Sequence, residues 1–372
     1  MILSVDQIVV IALAGFFLVV LTVYYFYFFL RLSKQWTTEK KETSIPISVI
    51  IAARNERKNL EKHLPSILNQ NYDKFEVVVV NDGSHDGTKD LLKEWNEVYD
   101  HLKVVTVELD EKFQRGKKFA LTMGIKGAQY ENLLFTDADC TPSSPNWITH
   151  MASQFKSHDM VLGVSPLKSK NNLLGSIVNY ETFHTSIQYL GYALKGKPYM
   201  GVGRNLAYTK ELFFQNKGFA SHQHIMSGDD DLFVQEAATK TNTTVCIDTE
   251  SFMISEPPSS FGKWIHQKLR HLSTGKEYKS KFKRLLGFYS VAHIMIYVCS
   301  LAFILLNPTI WYFGLGFLGL KWLLQCTSIF RATKLLKAPK IAYALPYYDV
   351  LYTLFLIFFG VASFFIKPKT WN

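Results

Sequence analysis

The sequence predicts an α/β domain built on a parallel sheet, with transmembrane helices near both ends of the chain. Three observations carry this prediction. Strand-like and helix-like segments alternate between residues 47 and 137, acidic residues stand directly after strands, and long uncharged runs lie towards both termini. With 48% hydrophobic and 15% aromatic residues, a chain of this size suits one soluble domain of about 240 residues on a membrane platform.

The first elements of the chain alternate in type. Residues 47–53 predict a buried strand, residues 54–56 a turn and cap, and residues 59–68 a helix with apolar residues at helical spacing. Further strands are predicted at residues 75–80 and 104–109. Strands that alternate with helices form parallel sheets, whose ligands bind at the carboxyl ends of the strands.

Two carboxylates, Asp137 and Asp139, follow a fourth strand-like run at residues 132–135. Alternate residues of an extended segment point the same way, so both acids can face one divalent cation. Taken alone, such acids can also cap a helix or brace a turn. Asp82 ends the second strand in the same manner, and Lys117 opens a predicted helix whose first N–H groups can meet phosphate.

Six segments, in chain order, resemble the motifs of the family 2 inverting glycosyltransferases. They are Ser48–Glu56, Val80–Thr88, Gly116–Leu121, Thr136–Asp139, Gly201–Asn205 and Gly228–Leu232. The resemblance covers residues 45–275. It implies the GT-A fold, a Rossmann-like mixed sheet with helices on both faces. It also implies a hexosyltransferase that takes its sugar from a nucleotide donor, which we expect to be UDP-linked.

The same resemblance implies roles for individual residues. The expected donor contacts are Ala52, Arg54, Glu56, Asp82, Lys117 and Asp137. Asp137 and Asp139 would hold Mg²⁺ or Mn²⁺ on the donor diphosphate, because a bound cation stabilises the charge that builds on the leaving oxygens.

The acceptor hydroxyl needs a base, since its pKa lies far above neutral. In the family the second acid of an acidic pair does this work, which assigns the base to Asp230 with Asp229 as the first acid of the pair. Asp231 is the alternative if the register slips by one residue. The three acids could instead serve only the dipole of the helix that follows them.

The resemblance also implies an acceptor side. Its residues are Gly203, Arg204, Asn205, Gln267, Arg270 and His271. The last three come from a segment that resembles the Gln-x-x-Arg-Trp motif of membrane-bound members, with histidine in place of tryptophan. This departure argues against processive synthesis, and a plain surface histidine is the alternative interpretation of His271.

Residues 261–284 are predicted to form amphipathic helices at the membrane interface. Phe261, Trp264, Ile265, Leu269 and Leu272 share one helical face, and the opposite face is basic. The basic residues that follow favour anionic lipid over nucleic acid as a partner, because no nucleic-acid motif accompanies them. A solvated basic stretch is the alternative.

Residues 7–30 form a run of 24 uncharged residues, enough to span a hydrocarbon core of ~30 Å. They predict an N-terminal anchor, residues 1–33, ahead of the catalytic domain at residues 45–260. The basic residues after the run place the N-terminus outside and the catalytic domain in the cytosol, at the inner or plasma membrane. A C-terminal region, residues 285–372, is predicted to hold two to three further spans.

Two of these spans are expected at residues 286–306 and 309–330. Lys321 lies inside the second, where a charge is costly, and we expect it to snorkel or to mark a shallow helix rather than to serve transport. The shorter apolar stretch at residues 350–366 can cross the membrane or remain interfacial, and its flanking lysines leave both open.

These patterns predict a membrane-anchored glycosyltransferase that acts on a lipid or membrane-proximal glycan, loosely similar to ceramide glucosyltransferase-like and polysaccharide synthase members. A processive polysaccharide synthase is the alternative within the same class. A non-catalytic membrane-bound sensor or scaffold for nucleotide sugars is the alternative from another class. Acids at both the metal and the base positions count against the sensor, because a binding module needs no base.

Overall fold

The computed structural model describes residues 4–35, 43–108, 116–170, 172–225, 227–306 and 310–365. The chain divides into two compact units. The unit that holds the sheets is built mainly from residues 36–170 and 192–259, and the other from residues 1–35, 171–191 and 260–369. The predicted catalytic range, 45–260, therefore includes one segment that groups with the terminal helices.

The strands are β1 (Ile47–Ala53), β2 (Phe75–Asp82), β3 (Leu102–Val107), β4 (Asn132–Asp137), β5 (Cys140–Pro142), β6 (Met160–Leu162), β7 (Leu206–Thr209), β8 (Thr243–Val245) and β9 (Met253–Ser255). The helices are α1 (Val5–Val23), α2 (Leu30–Ser33), α3 (Arg57–Leu68), α4 (Thr88–Val98), α5 (Lys117–Gly127), α6 (Trp147–Ala152), α7 (Leu173–Leu194), α8 (Lys210–Gln215), α9 (Asp231–Ala237), α10 (Phe261–Gly275), α11 (Ser280–Leu306), α12 (Trp311–Leu335), α13 (Lys340–Tyr343) and α14 (Leu345–Phe365).

The main sheet has seven strands in the order β3-β2-β1-β4-β7-β6-β8. Its first four strands are mutually parallel, whereas β7 runs antiparallel to both β4 and β6. The register sets Ala52 of β1 beside Val80 of β2 and Asp137 of β4, so the carboxyl ends of these strands meet at one edge. The mixed α/β sheet that the sequence predicted is confirmed.

The core of this unit forms where apolar strands are covered on both faces. Val49, Ile51 and Val79 are fully buried, as expected for continuous apolar runs in parallel strands. Helix α5 approaches the sheet closely at Gly124, where an added Cβ would lie 2.9 Å from side chains of both β1 and β2. This contact brings the start of α5 to the edge of the sheet where the strands end.

Element boundaries differ modestly from the predicted ones. Strands β2 and β4 continue into their terminal acids, Asp82 and Asp137, and β3 begins at Leu102 and ends at Val107. The predicted end of β3 at residue 109 lies outside the described residues. A second sheet, in which β5 pairs antiparallel with β9, was not predicted.

Four helical segments are long and apolar enough to cross a membrane, counted over the described ranges: Val5–Ser33, Ser280–Leu305, Trp311–Leu335 and Leu345–Ala362. The first is continuous from α1 to α2, because a π-helical stretch at Tyr24–Phe29 joins them. The first three match the predicted spans at residues 7–30, 286–306 and 309–330 with shifts of a few residues. The fourth, Leu345–Ala362, contains most of the shorter apolar stretch at residues 350–366 and has the length and composition of a span. These helices indicate a membrane protein.

Lys321 does not snorkel, so that part of the expectation was wrong, while the alternative of a shallow helix stays a prediction. Its side chain is fully buried and forms an ion pair with Asp349 of α14, which is also fully buried. The Asp349 carboxylate further accepts hydrogen bonds from Tyr297 of α11, Trp322 of α12 and Tyr180 of α7. The pairing removes the need for the lysine to reach water.

Helix α10 has the predicted amphipathic pattern. Trp264 and Leu269 are buried on its apolar face, and the Trp264 ring packs on Phe355 and Phe359 of α14. The predicted interfacial range of 261–284 is not a single element, because α10 ends at Gly275 and the last basic residues belong to the first turns of α11.

Candidate active site

A small cleft opens where β4 ends, and it gathers residues from four separate motifs. Lys117, Asp137, Gly203, Asp229 and Asp230 all line it. These residues are distant in the chain and were predicted separately. Asp137 and Gly203 converge because β4 ends at the same edge of the sheet where the antiparallel strand β7 begins, and ligands bind at the carboxyl ends of parallel strands such as β4.

Lys117 is the central cation of this cleft. Its Nζ lies 2.8 Å from Asp137 Oδ1 and 3.1 Å from Asp229 Oδ2. Burial alone would lower the pKa of Lys117, but the carboxylates of Asp137 and Asp229 outweigh it and raise this pKa above the usual lysine value. The lysine therefore carries a fixed positive charge between the fourth strand and the acidic motif.

Asp230 stands at the N-cap of α9. Its Oδ2 accepts a hydrogen bond from the Gly203 N–H at 2.8 Å, and its Oδ1 accepts one from the Asp231 N–H at 2.8 Å. Burial raises the pKa of Asp230, and the nearby Asp229 carboxylate raises it further, while Lys117 and the two N–H donors oppose the shift. A carboxylate whose pKa is raised towards neutral is a better proton acceptor.

Asp231 has a different environment from Asp230. It is buried, its Oδ1 accepts the Leu232 N–H of its own helix at 2.8 Å, and it is not among the residues that line the cleft. The geometry therefore favours Asp230 over Asp231 in the choice that the sequence left open.

Three potential ligand atoms cluster between the end of β4 and the start of β5. One each from Asp137, Asp139 and Cys140 lie within 4.8 Å of one another. Burial raises the pKa of the Cys140 thiol well above its usual value, which leaves the two carboxylates as the charged donors. Oxygen ligands suit Mg²⁺ and Mn²⁺, so the residues present fit the predicted cation.

Hydrogen bonds connect the loop after β1 to the loop after β2, next to the residues predicted to contact the donor. The Asn55 backbone N–H donates to Ser84 Oγ at 2.9 Å, and the Asn55 side-chain oxygen Oδ1 accepts the His85 N–H at 2.9 Å. Asn55 adopts a φ of 57°, a left-handed conformation that asparagine tolerates better than most residues. This bridging role was not predicted, although an asparagine two residues beyond the end of β1 is a visible signal.

The remaining predicted donor residues differ in exposure. Ala52 is partly buried, Arg54 is exposed and Asp82 is buried at the end of β2. Glu56 donates its backbone N–H to Thr88 Oγ1 at 3.1 Å, and burial raises the pKa of its carboxyl. Their contacts with a donor stay predictions.

The apolar wall of the cleft was also missed. Phe135 of β4 and Tyr208 of β7 stack with ring centroids 4.3 Å apart, and both line the cleft. Alternation along β4 could have identified Phe135, but nothing in the sequence indicated that β7 pairs beside it.

The expected acceptor-side residues fall into three groups. Gly203 lines the cleft, and the Arg204 guanidinium donates to Ser255 Oγ at 2.6 Å. Asn205 does not fit an acceptor contact, because it is fully buried and its amide bonds Trp147 and two backbone carbonyls. The other three residues lie on α10 in the other unit, and their role stays a prediction: Gln267, Arg270 and His271.

Comparison with known proteins agrees with this architecture. Residues 48–213 match the glycosyl transferase family 2 model. A poly-beta-1,6-N-acetyl-D-glucosamine synthase from Staphylococcus epidermidis is 33% identical over 138 residues, which are 36% of this chain and 32% of that protein. Glycosyltransferase AglE from Haloferax volcanii is 39% identical over 98 residues, 26% of this chain and 31% of that protein. The matched part thus spans about a third of these relatives.

A solved structure resembles nearly the whole chain. Mannosyltransferase PcManGT from Pyrobaculum calidifontis, in complex with GDP-Man and Mn²⁺, superposes with a TM-score of 0.59 at 20% identity. The superposition covers 96% of this chain and 98% of that one. The predicted fold is confirmed, and the predicted family is confirmed for the domain at residues 48–213. The chain therefore carries a glycosyl transferase family 2 domain on a GT-A-like fold.

Proposed function

We propose that the protein is a membrane-anchored inverting glycosyltransferase that moves a sugar from a nucleotide donor to a lipid or membrane-proximal acceptor. The observation that carries the proposal is the shared cleft of Lys117, Asp137 and Asp230. A diphosphate needs cations on one side of the reacting sugar, and an acceptor hydroxyl needs a base on the other.

In the proposed reaction Asp230 takes the proton of the acceptor hydroxyl. The acceptor oxygen forms a bond to the anomeric carbon as the bond from that carbon to the diphosphate breaks, which inverts the configuration. Lys117 holds positive charge beside the departing diphosphate. When bound at Asp137 and Asp139, Mg²⁺ or Mn²⁺ adds positive charge there.

The donor nucleotide is the least constrained part of the proposal. The sequence favoured a UDP-sugar, whereas the similar PcManGT structure contains GDP-Man. Both classes of donor therefore belong in the test. For the acceptor we favour a lipid or a membrane-proximal glycan, because the family 2 domain is joined to four helices of membrane-spanning length.

We further propose that the N-terminus lies outside and the catalytic domain in the cytosol, at the plasma or inner membrane. Exposed basic residues cluster between Lys276 and Arg284, directly before and within the first turns of α11. Positive residues of this kind remain on the cytoplasmic side. Sugar nucleotides are expected in the same compartment.

The test is release of nucleoside diphosphate from a panel of UDP- and GDP-sugars, with native lipid extract and Mg²⁺ or Mn²⁺. Asp230→Asn should lower kcat by about 10²–10⁴-fold and spare donor binding. Asp137→Ala should instead abolish the metal-dependent part of donor binding. Asp90→Asn, an exposed acid of α4, is the matched control and should behave as wild type.

Two results would contradict these assignments. Full turnover by Asp230→Asn would exclude it as the base, and Asp231→Asn would then be the variant to compare. Donor affinity that is equal with and without metal, in wild type and in Asp137→Ala, would exclude the proposed cation site. Tight donor binding without any release would favour the sensor over the enzyme.

A processive polysaccharide synthase remains the second candidate. It is favoured by the similarity to poly-beta-1,6-N-acetyl-D-glucosamine synthase within the matched region. The size of the product separates the two candidates. A discrete glycolipid supports single transfer, and a long polymer supports the synthase.

A further inference from the structure

The lysine that follows Lys117 has a separate set of contacts. Lys118 is buried in the first turn of α5, and its Nζ donates to the backbone carbonyl of His222 at 2.6 Å and to that of Ile225 at 3.0 Å. Consecutive side chains at the start of one helix thus serve two purposes. Lys117 meets the acids of the cleft, and Lys118 holds a loop.

This loop leads from α8 to α9, and its side chains contact α9 directly. Ser221 donates to Glu236 of α9, and His222 Nδ1 lies 3.4 Å from the same carboxylate. In addition, the Phe219 ring of the loop packs against Phe233 of α9 with ring centroids 5.9 Å apart. A continuous set of contacts therefore runs from the Lys118 ammonium, through the loop, to the helix that Asp230 caps.

Filling the space between α5 and the loop would not by itself select a lysine at this position. Burial lowers the pKa of Lys118 to about 8, against the attraction of Asp229 and its acidic neighbours. Burying a cation costs free energy unless its donors are used, and an apolar side chain of similar length would fill the same volume without that cost. What methionine could not supply is the pair of directed hydrogen bonds to two carbonyls of one loop.

We propose that Lys118 is a positioning residue for Asp230, an inference that rests on the proposed function. It fixes the loop at residues 219–225, and the loop fixes α9 so that Asp230 keeps Oδ2 hydrogen-bonded to the Gly203 N–H at the cleft. Lys118 touches no reacting atom. Its loss should displace the base while leaving the donor side of the cleft intact.

The experiment compares Lys118→Met, Lys118→Arg and wild type in full-length protein in detergent. Lys126→Met is the matched control, because Lys126 is an exposed lysine of the same helix. We expect Lys118→Met to lower kcat for nucleotide release by about tenfold or more, with donor KM changed less than about twofold. Lys118→Arg, which keeps donors and charge, should recover most of kcat, and Lys126→Met should match wild type.

Hydrogen exchange of the same proteins provides a readout that does not depend on turnover. Lys118→Met should raise deuterium uptake in residues 219–225 and in α9, and leave α3 and β1 unchanged. Unchanged uptake in the loop would overturn the proposal, as would uptake that rises throughout the domain together with equal losses in kcat and kcat/KM. If wild type releases no nucleotide from any donor, the proposed function fails, while the exchange pattern still decides whether Lys118 orders the loop.

Discussion

We expect substitutions of the Lys321–Asp349 pair to destabilise the unit that holds the four long apolar helices more than other single substitutions there. Both side chains are fully buried within helices of membrane-spanning length. Removing one partner of a buried ion pair leaves an uncompensated charge, which costs about 3–5 kcal/mol. We therefore expect Lys321→Met and Asp349→Asn each to reduce the free energy of unfolding by an amount of this order.

The contacts of the pair predict which single variant is worse. Without Lys321, the Asp349 carboxylate still accepts hydrogen bonds from Tyr297, Trp322 and Tyr180. Without the Asp349 charge, the lysine keeps a contact with the face of the Tyr297 ring, 4.8 Å from its centroid. Asp349→Asn should therefore destabilise more than Lys321→Met.

The assay is unfolding of purified protein in mixed micelles, with the double variant completing a thermodynamic cycle. The double variant should lose less stability than the sum of the two single losses, because it buries no unpaired charge. Lys334→Met, which removes an exposed lysine from the same helix, is the control and should have little effect. Additive losses, or single variants as stable as wild type, would refute the reasoning.

Two further predictions concern the unit that holds the sheets. Asp230 must be ionised to act as a base, and its pKa is raised. We therefore expect kcat/KM to fall on acidification with a midpoint above the ordinary aspartate pKa of about 3.9. A midpoint at or below that value would contradict the raised pKa. Asn205→Ala should destabilise the fold by about 1–3 kcal/mol, because it leaves the buried Trp147 N–H without the acceptor it has in this structure. Chemical denaturation measures this loss, and wild-type stability with altered acceptor kinetics would instead restore Asn205 to the acceptor side.

Local patterns predicted the elements that surround the cleft. The bounds of β1 were predicted residue for residue, and β2 and β4 each extend two residues beyond their predicted ends, to Asp82 and Asp137. Parallel strands of this kind are recognisable because they are apolar without interruption and alternate with amphipathic helices. Asp82 and Asp137 could be recognised for a related reason, because each is a charged residue that follows a run of apolar strand residues.

Pairing between distant segments was not predictable in this way. Strands β5 and β9 have three residues each, too few for any periodicity, and their partnership depends on the tertiary fold. The sequence identified Lys321 as an isolated charge because the last predicted span began at residue 350, one position beyond its partner Asp349. Nothing in the sequence distinguished Asn205, which faces the core, from its neighbour Gly203, which lines the cleft.

The acidic run before α9 shows why the structural and the functional interpretations of a motif need not compete. Asp231 binds the N–H of Leu232 in its own helix, as an acid that serves the helix would. Asp230 also caps the helix with Oδ1, yet its Oδ2 accepts a hydrogen bond from the Gly203 N–H at the cleft. Both N–H donors favour the ionised form, while burial and Asp229 favour the protonated one. The balance between these effects sets the basicity of the carboxylate, so capping α9 is part of how this site would tune its base.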